Sequence, residues 1–207
     1  MTPSLKVVVA ITSPIAFHQL KNQTILHTCL QSAQAFVQSI NGAHLAIAAT
    51  AADLAKNSDI DCEKIECDPN NPASFAAALK AATPAELVMI HDSQRPLTSL
   101  AQFERVYDAL AADIDAVRPV SPFTETLKAV TADGFIDQTI DRSSMMRVST
   151  PQLIKVSAID FASTDSTWFV PIKKSAKLAT VDADADSARI NSEKEIELMS
   201  YLLDWNK

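Results

Sequence analysis

Glycine is nearly absent. Gly42 and Gly134 are the only two in 207 residues, where average usage of about 7% would give about fourteen. Phosphate loops of the G-x-G-x-x-G or G-x-x-x-x-G-K-[ST] kind need clustered glycines and are excluded, as are collagen-like and Gly/Ser-linker sequences. Cysteine is scarce and odd in number: Cys29, Cys62 and Cys67. Cys62 and Cys67 have no histidine nearby to complete a zinc site, so reduced thiols in a cytoplasmic protein are expected. Positive charge is also short, 18 Lys and Arg against 25 Asp and Glu, a net charge of −7. That argues against nucleic-acid binding, which wants a basic face. No apolar run approaches the roughly 18 residues of a membrane span. The start, MTPSLKVVVAI, lacks a long apolar region followed by a small-residue cleavage site, and it reads as a first strand rather than a signal peptide. What remains, 47% hydrophobic and 21% charged, is a soluble globular composition with enough chain for a substantial core.

The apolar pattern alternates between strand and helix. LKVVVAI (5–11) is a continuous β-branched run, as expected of a strand buried on both faces. Residues 23–40 carry Ile25, Leu26, Cys29, Ala33, Phe36, Val37 and Ile40 at helical spacing, and Asn41-Gly42 supplies a stop. AHLAIAAT (43–50) is a second buried strand, completing a βαβ unit. The alternation continues with a helix at 72–82, a strand at 86–92 ending in His91-Asp92, a helix at 98–112 with Thr98 or Ser99 as N-cap, and a strand at 115–120. This order predicts a doubly wound α/β fold. ETLKAVT and FIDQTIDR flank Ala132-Asp133-Gly134, which predicts a β-hairpin. Short strands are expected at 167–172 and 177–182, and Ser192 to Glu195 reads as a capping box opening a last helix to about Asp204. No linker or repeat is visible, so 1–207 is read as one domain with an arm at about 121–145.

In open α/β sheets ligands bind beyond the carboxyl ends of the strands. Asp92 stands at such an end and Arg95 follows. The carboxylate is suited to a divalent cation bound to phosphates, and the guanidinium to a phosphate. The alternative is that Asp92 caps the following turn and Arg95 is a surface ion-pair residue. Residues 182–193 place acids at positions 1, 3, 5 and 12 like a Ca²⁺ loop, but Ser187 stands where the turn needs glycine and Arg189 adds positive charge. An acidic loop before a capped helix is the simpler reading. His18, His27 and His44 are scattered, and Lys173, Lys174 and Lys177 read as a solvated basic cluster.

IHDSQRP (90–96) resembles the HDAARP segment of the 2-C-methyl-D-erythritol 4-phosphate cytidylyltransferase family of the non-mevalonate isoprenoid pathway. RPVSPFTETLK (118–128), TIDR (139–142), TPQ (150–152) and ADSARI (185–190) resemble that family's later motifs in the same order, and NQTIL (22–26) fits its first helix. The resemblance implies a Rossmann-like nucleotidyltransferase fold and a homodimer whose β-arms cross. It implies Mg²⁺ held through Asp92, a sugar phosphate met by Arg95, Thr126 and Thr150, and Arg142 reaching the partner's phosphate. Glu125 stands where the family has Asp, and Arg189 where it has a catalytic Lys, a swap that keeps charge and changes geometry.

The family's nucleotide side is largely missing. Its opening P-A-A-G-x-G-x-R is absent, because AITS (10–13) runs straight into PIAF (14–17). Ile15 stands where a catalytic Lys is expected, and of the segment framing the base, CDPNNPAS (67–74) keeps Ser74. Loop N–H groups and basic side chains of this kind contribute about 3–4 kcal/mol each to phosphoryl transfer. Lys6, Lys21 and Arg118 are the basic side chains that folding could bring into the gap. The sequence therefore predicts a relative of an enzyme that joins CTP and methylerythritol phosphate into a CDP-alcohol plus pyrophosphate, with weak or lost turnover. The alternative is a non-catalytic sugar-phosphate-binding or partner subunit of the same fold.

Overall fold

The computed structural model describes residues 3–82, 84–165 and 167–205. In chain order, the first half has β1 (Leu5–Ala10), a 3-10 turn (Pro14–Phe17), β2 (Gln19–Leu20), β3 (Gln23–Thr24), α1 (Ile25–Ser39), β4 (His44–Ala49), α2 (Ala51–Ala55), β5 (Glu63–Glu66), α3 (Pro72–Ala81) and β6 (Leu87–Asp92). The second half has α4 (Leu100–Asp108), β7 (Ala116–Pro122), β8 (Leu127–Val130), β9 (Ile136–Ile140), β10 (Met146–Val148), β11 (Gln152–Lys155), β12 (Leu178–Asp182) and α5 (Glu193–Trp205).

The central sheet runs β10-β7-β11-β6-β1-β4-β5, with β12 also on β7. β1 pairs in parallel with β4 and β6, and β4 with β5, as expected for a doubly wound fold. The alternating side chains of β1 explain why its whole run is apolar. Val7 and Val9 face a cluster with Leu26, Phe36, Met89, Phe103 and Val106 beneath α1 and α4. Val8 and Ala10 face another with Ile65, Phe75, Val88, Ile90, Ile154 and Phe169 on the side of α3. Full burial of such side chains contributes about 1.5–3 kcal/mol each, so this strand anchors both layers.

Helix starts follow hydroxyl and amide caps. Thr24 accepts from the His27 N–H, Ser99 from that of Gln102, and Asn71 from that of Ser74. Of the two N-cap candidates at 98–99, Ser99 takes the role. Gly42 (φ 79°) stops α1 and Gly134 (φ 84°) turns β8 into β9, both left-handed positions where glycine carries no Cβ penalty. The β8–β9 hairpin forms its own two-stranded sheet.

Two local expectations need correction. Residues 167–172 form no strand. Phe169 sits at φ 65°, outside any extended conformation, Pro171 has no N–H to donate, and the segment makes only a single bridge, Ile172 to Ile159. The capping box is also displaced. Ser192 Oγ accepts from the Glu195 N–H at 3.4 Å, but the Glu195 carboxylate reaches back to the Asn191 N–H. The sequence pattern also missed α2, β5, β10, β11 and the two-residue β2 and β3, all short.

Candidate functional site

The carboxyl ends of β1 and β6 and the loops beside them converge on Asp92. Its side chain is wholly buried. One carboxylate oxygen, Oδ1, accepts from the Gln94 N–H at 3.0 Å, and the other, Oδ2, from Arg189 Nε at 2.7 Å. Asp92 therefore does cap its turn, and it is also an ion-pair partner across 97 residues of sequence. Arg189 extends the network. Its Nη2 donates to Thr12 Oγ1 at 3.1 Å and to Gln94 Oε1, and its Nη1 to Asn191 Oδ1.

Thr150 locks the other side. β10 and β11 follow one edge of β7, with Val148 opposite Val120 and Leu153 opposite Val117. Five steps along one strand oppose three along the other, so two extra residues bulge out around Ser149, Thr150 and Pro151. The bulge turns Thr150 towards β6. There its Oγ1 accepts from the Asp92 N–H at 3.2 Å and lies 2.9 Å from His91 Nδ1. Burial, with Arg95 adding to it, pushes the His91 imidazole down to about 3. It is neutral at physiological pH and cannot carry protons there.

Arg95 is buried too, at 8% exposure, so the surface ion-pair alternative is wrong for it. It donates to the carbonyls of Ser187 (2.6 Å) and Val148 (3.4 Å), its Nε lacks a partner, and it lies over the Trp168 ring at 5.7 Å. Desolvation is the main cause that brings it down to about 10. Asp92 opposes that shift, and Arg189 and Arg147 add to it. Arg95, Arg147 and Arg189 line one cavity of about 190 Å³, with Ser149 and Ser187 at hydrogen-bond distance from each other on its wall. Sequence reading missed Arg147, Gln94 and Thr12. Gln94 lies inside the 90–96 motif, whereas nothing in the spacing around Arg147 marks it.

The other expected site residues lie elsewhere. Thr126 is exposed on the arm. Arg142 is exposed as well and donates to the Thr124 carbonyl of its own arm. Neither lines the cavity. Ser74 lies in the first turn of α3, half-buried, and does not line the cavity. Its loop nevertheless meets the end of β1, where Asn70 Nδ2 donates to the Thr12 carbonyl at 3.0 Å. Ile15, 9% exposed, is embedded with Leu20, Ile25, Ile190 and Met199. No candidate for the missing Lys fills its place: Lys6 pairs with Glu63 at 2.8 Å and Lys21 with Asp204, while Arg118, half-buried on β7, does not line the cavity.

Acids in 182–193 do not converge as a Ca²⁺ loop would require. Asp184 is held by Ser99 and Arg105, and Glu193 lies 3.9 Å from His18. Among the described residues, no group of three or more His, Cys, Asp or Glu is placed to hold a metal ion. Nor does the donor set at Asp92 fit the expected Mg²⁺. Both carboxylate oxygens accept from N–H donors, and Arg189 holds the neighbouring oxygens of Thr12, Gln94 and Asn191.

The sequence profile of the IspD family, 2-C-methyl-D-erythritol 4-phosphate cytidylyltransferase, matches residues 9–185. The chain belongs to this family. A 2-C-methyl-D-erythritol 4-phosphate cytidylyltransferase of Nocardia farcinica is 33% identical over 137 residues, 63% of this chain and 59% of the relative. One from Geobacillus thermodenitrificans is 38% identical over 106 residues, 51% and 42% of the two chains. The matched stretch thus spans under two thirds of these relatives. The fold extends further. The 4-diphosphocytidyl-2C-methyl-D-erythritol synthase structure of Anaerococcus prevotii superposes with a TM-score of 0.77 at 20% identity, covering 98% of this chain and 99% of that one. The Thermus thermophilus cytidylyltransferase structure gives 0.69 at 23% identity, covering 95% and 98%. This IspD family member has no helix among its described residues long and apolar enough to cross a membrane.

Proposed function

We propose that this chain binds a phosphorylated polyol of the 2-C-methyl-D-erythritol 4-phosphate class in the cleft of Arg95, Arg147 and Arg189, and that its cytidylyl transfer from CTP is weak or lost. In a competent relative the sugar phosphate attacks the α-phosphate of CTP and pyrophosphate leaves. The charge that develops needs donors aimed at the polyphosphate. The observation that carries the reading is the exit of β1. Three of the backbone N–H groups there already have acceptors: Ile11 donates to Ala48 O at 2.9 Å, Ile15 to Ser13 Oγ at 3.3 Å and Ala16 to Ser13 O at 3.2 Å. Ile15 buries an apolar side chain where a basic group is needed. The arginines of the cavity remain for the sugar phosphate.

Residues 1–207 then act as a single nucleotidyltransferase-like domain in the cytoplasm. Two copies then pair through the arm at about 121–145, with Thr126 and Arg142 completing the partner's site. Supporting this, the arm exposes Val130 (64%), Phe135 (72%) and Ile136 (69%), and Met145 and Met146 are exposed at its end, an apolar surface of the kind that marks an interface. The same surface favours a second reading, a non-catalytic partner subunit that pairs with another chain of this fold.

A coupled pyrophosphate-release assay with CTP, methylerythritol phosphate and Mg²⁺ tests the first claim. Turnover should lie at least about 10³-fold below that of a relative with the complete loop, and comparable turnover overturns the claim of loss. Calorimetry should show the sugar phosphate binding and CTP failing to bind. Light scattering should give a dimer that a Phe135→Asp, Ile136→Asp double variant dissociates, and a monomeric wild type refutes the arm-mediated pair.

A further inference from the structure

Arg189 gathers four side-chain oxygens. Its guanidinium bonds Asp92 Oδ2, Thr12 Oγ1, Gln94 Oε1 and Asn191 Oδ1. These are hard oxygens of the type that a divalent cation would gather, and each already accepts from Arg189. Asp92 is fully buried and its second oxygen is held by the Gln94 N–H, so no carboxylate edge faces the cavity. Arg189 itself keeps 31% of its side chain exposed and lines that cavity.

We infer that Asp92 serves this chain as the counter-ion of Arg189, and that the cleft takes a phosphate-bearing dianion on Arg95, Arg147 and Arg189 without a divalent cation. The charge count supports a dianion. Three guanidinium groups less the Asp92 carboxylate leave a surplus of +2, since Asp184 on the wall is paired with Arg105. A phosphate monoester carries about −2 above its second ionisation near pH 6. Mutual repulsion among Arg95, Arg147 and Arg189 is one cause of the Arg95 shift, and an anion between them relieves it. Arg147 is the added element. Its Nε donates to Ser121 Oγ at 3.1 Å, which leaves its two Nη groups to grip phosphate oxygens as a fork. It lies on β10, two residues before the bulge that seats Thr150.

This inference rests on the reading of the cleft as a phosphate site, and the test separates the two. Inorganic phosphate is titrated calorimetrically into the full chain at about pH 8, where the dianion dominates, once with EDTA and once with excess Mg²⁺. Affinities should agree within about twofold, and Arg147→Ala should weaken binding about fivefold or more. Asp92→Asn should leave phosphate binding measurable with EDTA present, because it loosens Arg189 but removes no ligand of the anion. Binding that needs Mg²⁺, binding abolished in a folded Asp92→Asn variant, an unchanged Arg147→Ala variant, or no phosphate binding at all overturns the inference. If Asp92→Asn does not fold, the EDTA comparison and Arg147→Ala decide alone. Phosphate bound without cation while methylerythritol phosphate is refused would sink the proposed function and leave this inference standing. Methylerythritol phosphate bound only with Mg²⁺ would do the reverse.

Discussion

Acidification should destabilise this fold through His91. The imidazole is fully buried, 4.9 Å edge-on from Phe103, with Nδ1 against Thr150 Oγ1 and no partner for Nε2. Protonation there would place a charge in a desolvated pocket beside the Arg95 guanidinium, which is why its pKa falls to about 3. In the unfolded chain the same group takes up a proton near pH 6.5. Between these values the unfolded state holds the extra proton, so stability rises with pH and is lost as pH falls below about 6.5. From pH 7 to pH 5 the loss from this one group is about 2 kcal/mol, approaching about 5 kcal/mol once both forms are protonated. Urea midpoints at the two pH values, compared between wild type and His91→Gln, isolate the effect because all other titrating groups are common to both. The wild type should lose about 2 kcal/mol more than the variant. A difference below about 0.5 kcal/mol would refute the desolvated, neutral histidine.

Phe36→Ala should cost about 3–5 kcal/mol in urea unfolding, since the ring is fully buried between α1 and α4 and lies 5.6 Å from Phe103 and 5.8 Å from Tyr107. Thr150→Val keeps the shape but strips the Asp92 N–H and His91 Nδ1 of their partner, and should cost about 1–3 kcal/mol. No loss would mean that another group satisfies both. Gly134→Ala meets nothing within 4 Å, so only the left-handed backbone resists it. It should loosen the arm by about 1–2 kcal/mol while leaving the main unfolding transition in place. Limited proteolysis should cut the variant arm faster, and equal cleavage rates would contradict a hairpin held by that turn.

The fold was legible where burial and period agree. Leu5–Ala10 is apolar on both faces because β1 is central, and α1 reads clearly because its apolar face returns every three to four residues. The hairpin announced itself through Asp133-Gly134. Elements that escaped detection are short or polar. β5 reads EKIE, with Ile65 its only buried residue, and α2 is five residues long with none buried. Residues 167–172 carry strand-like composition, but Phe169 takes a left-handed conformation to fit the core on the side of α3, a tertiary demand that propensity does not contain.

Local chemistry in the sequence determined the strand–helix alternation, the caps, the turn of the arm and the absence of a glycine loop, because each depends on neighbours within a few residues. Asp92 and Arg95 were marked by their place at a strand end, and Thr150 and Arg189 by resemblance. Only the tertiary structure decided how they are joined. Arg189 meets Asp92 because the segment after β12 passes the loop that follows β6, where Ile190 N donates to Gln94 O at 2.9 Å. Thr150 meets both His91 and Asp92 because a bulge re-aims it. Arg147 joins the cavity, while Thr126 and Arg142 stay out on the arm. Ile15, in sequence merely an unexpected residue, becomes part of a buried apolar cluster. Such long-range partners are set by sheet order and register, which no local pattern encodes.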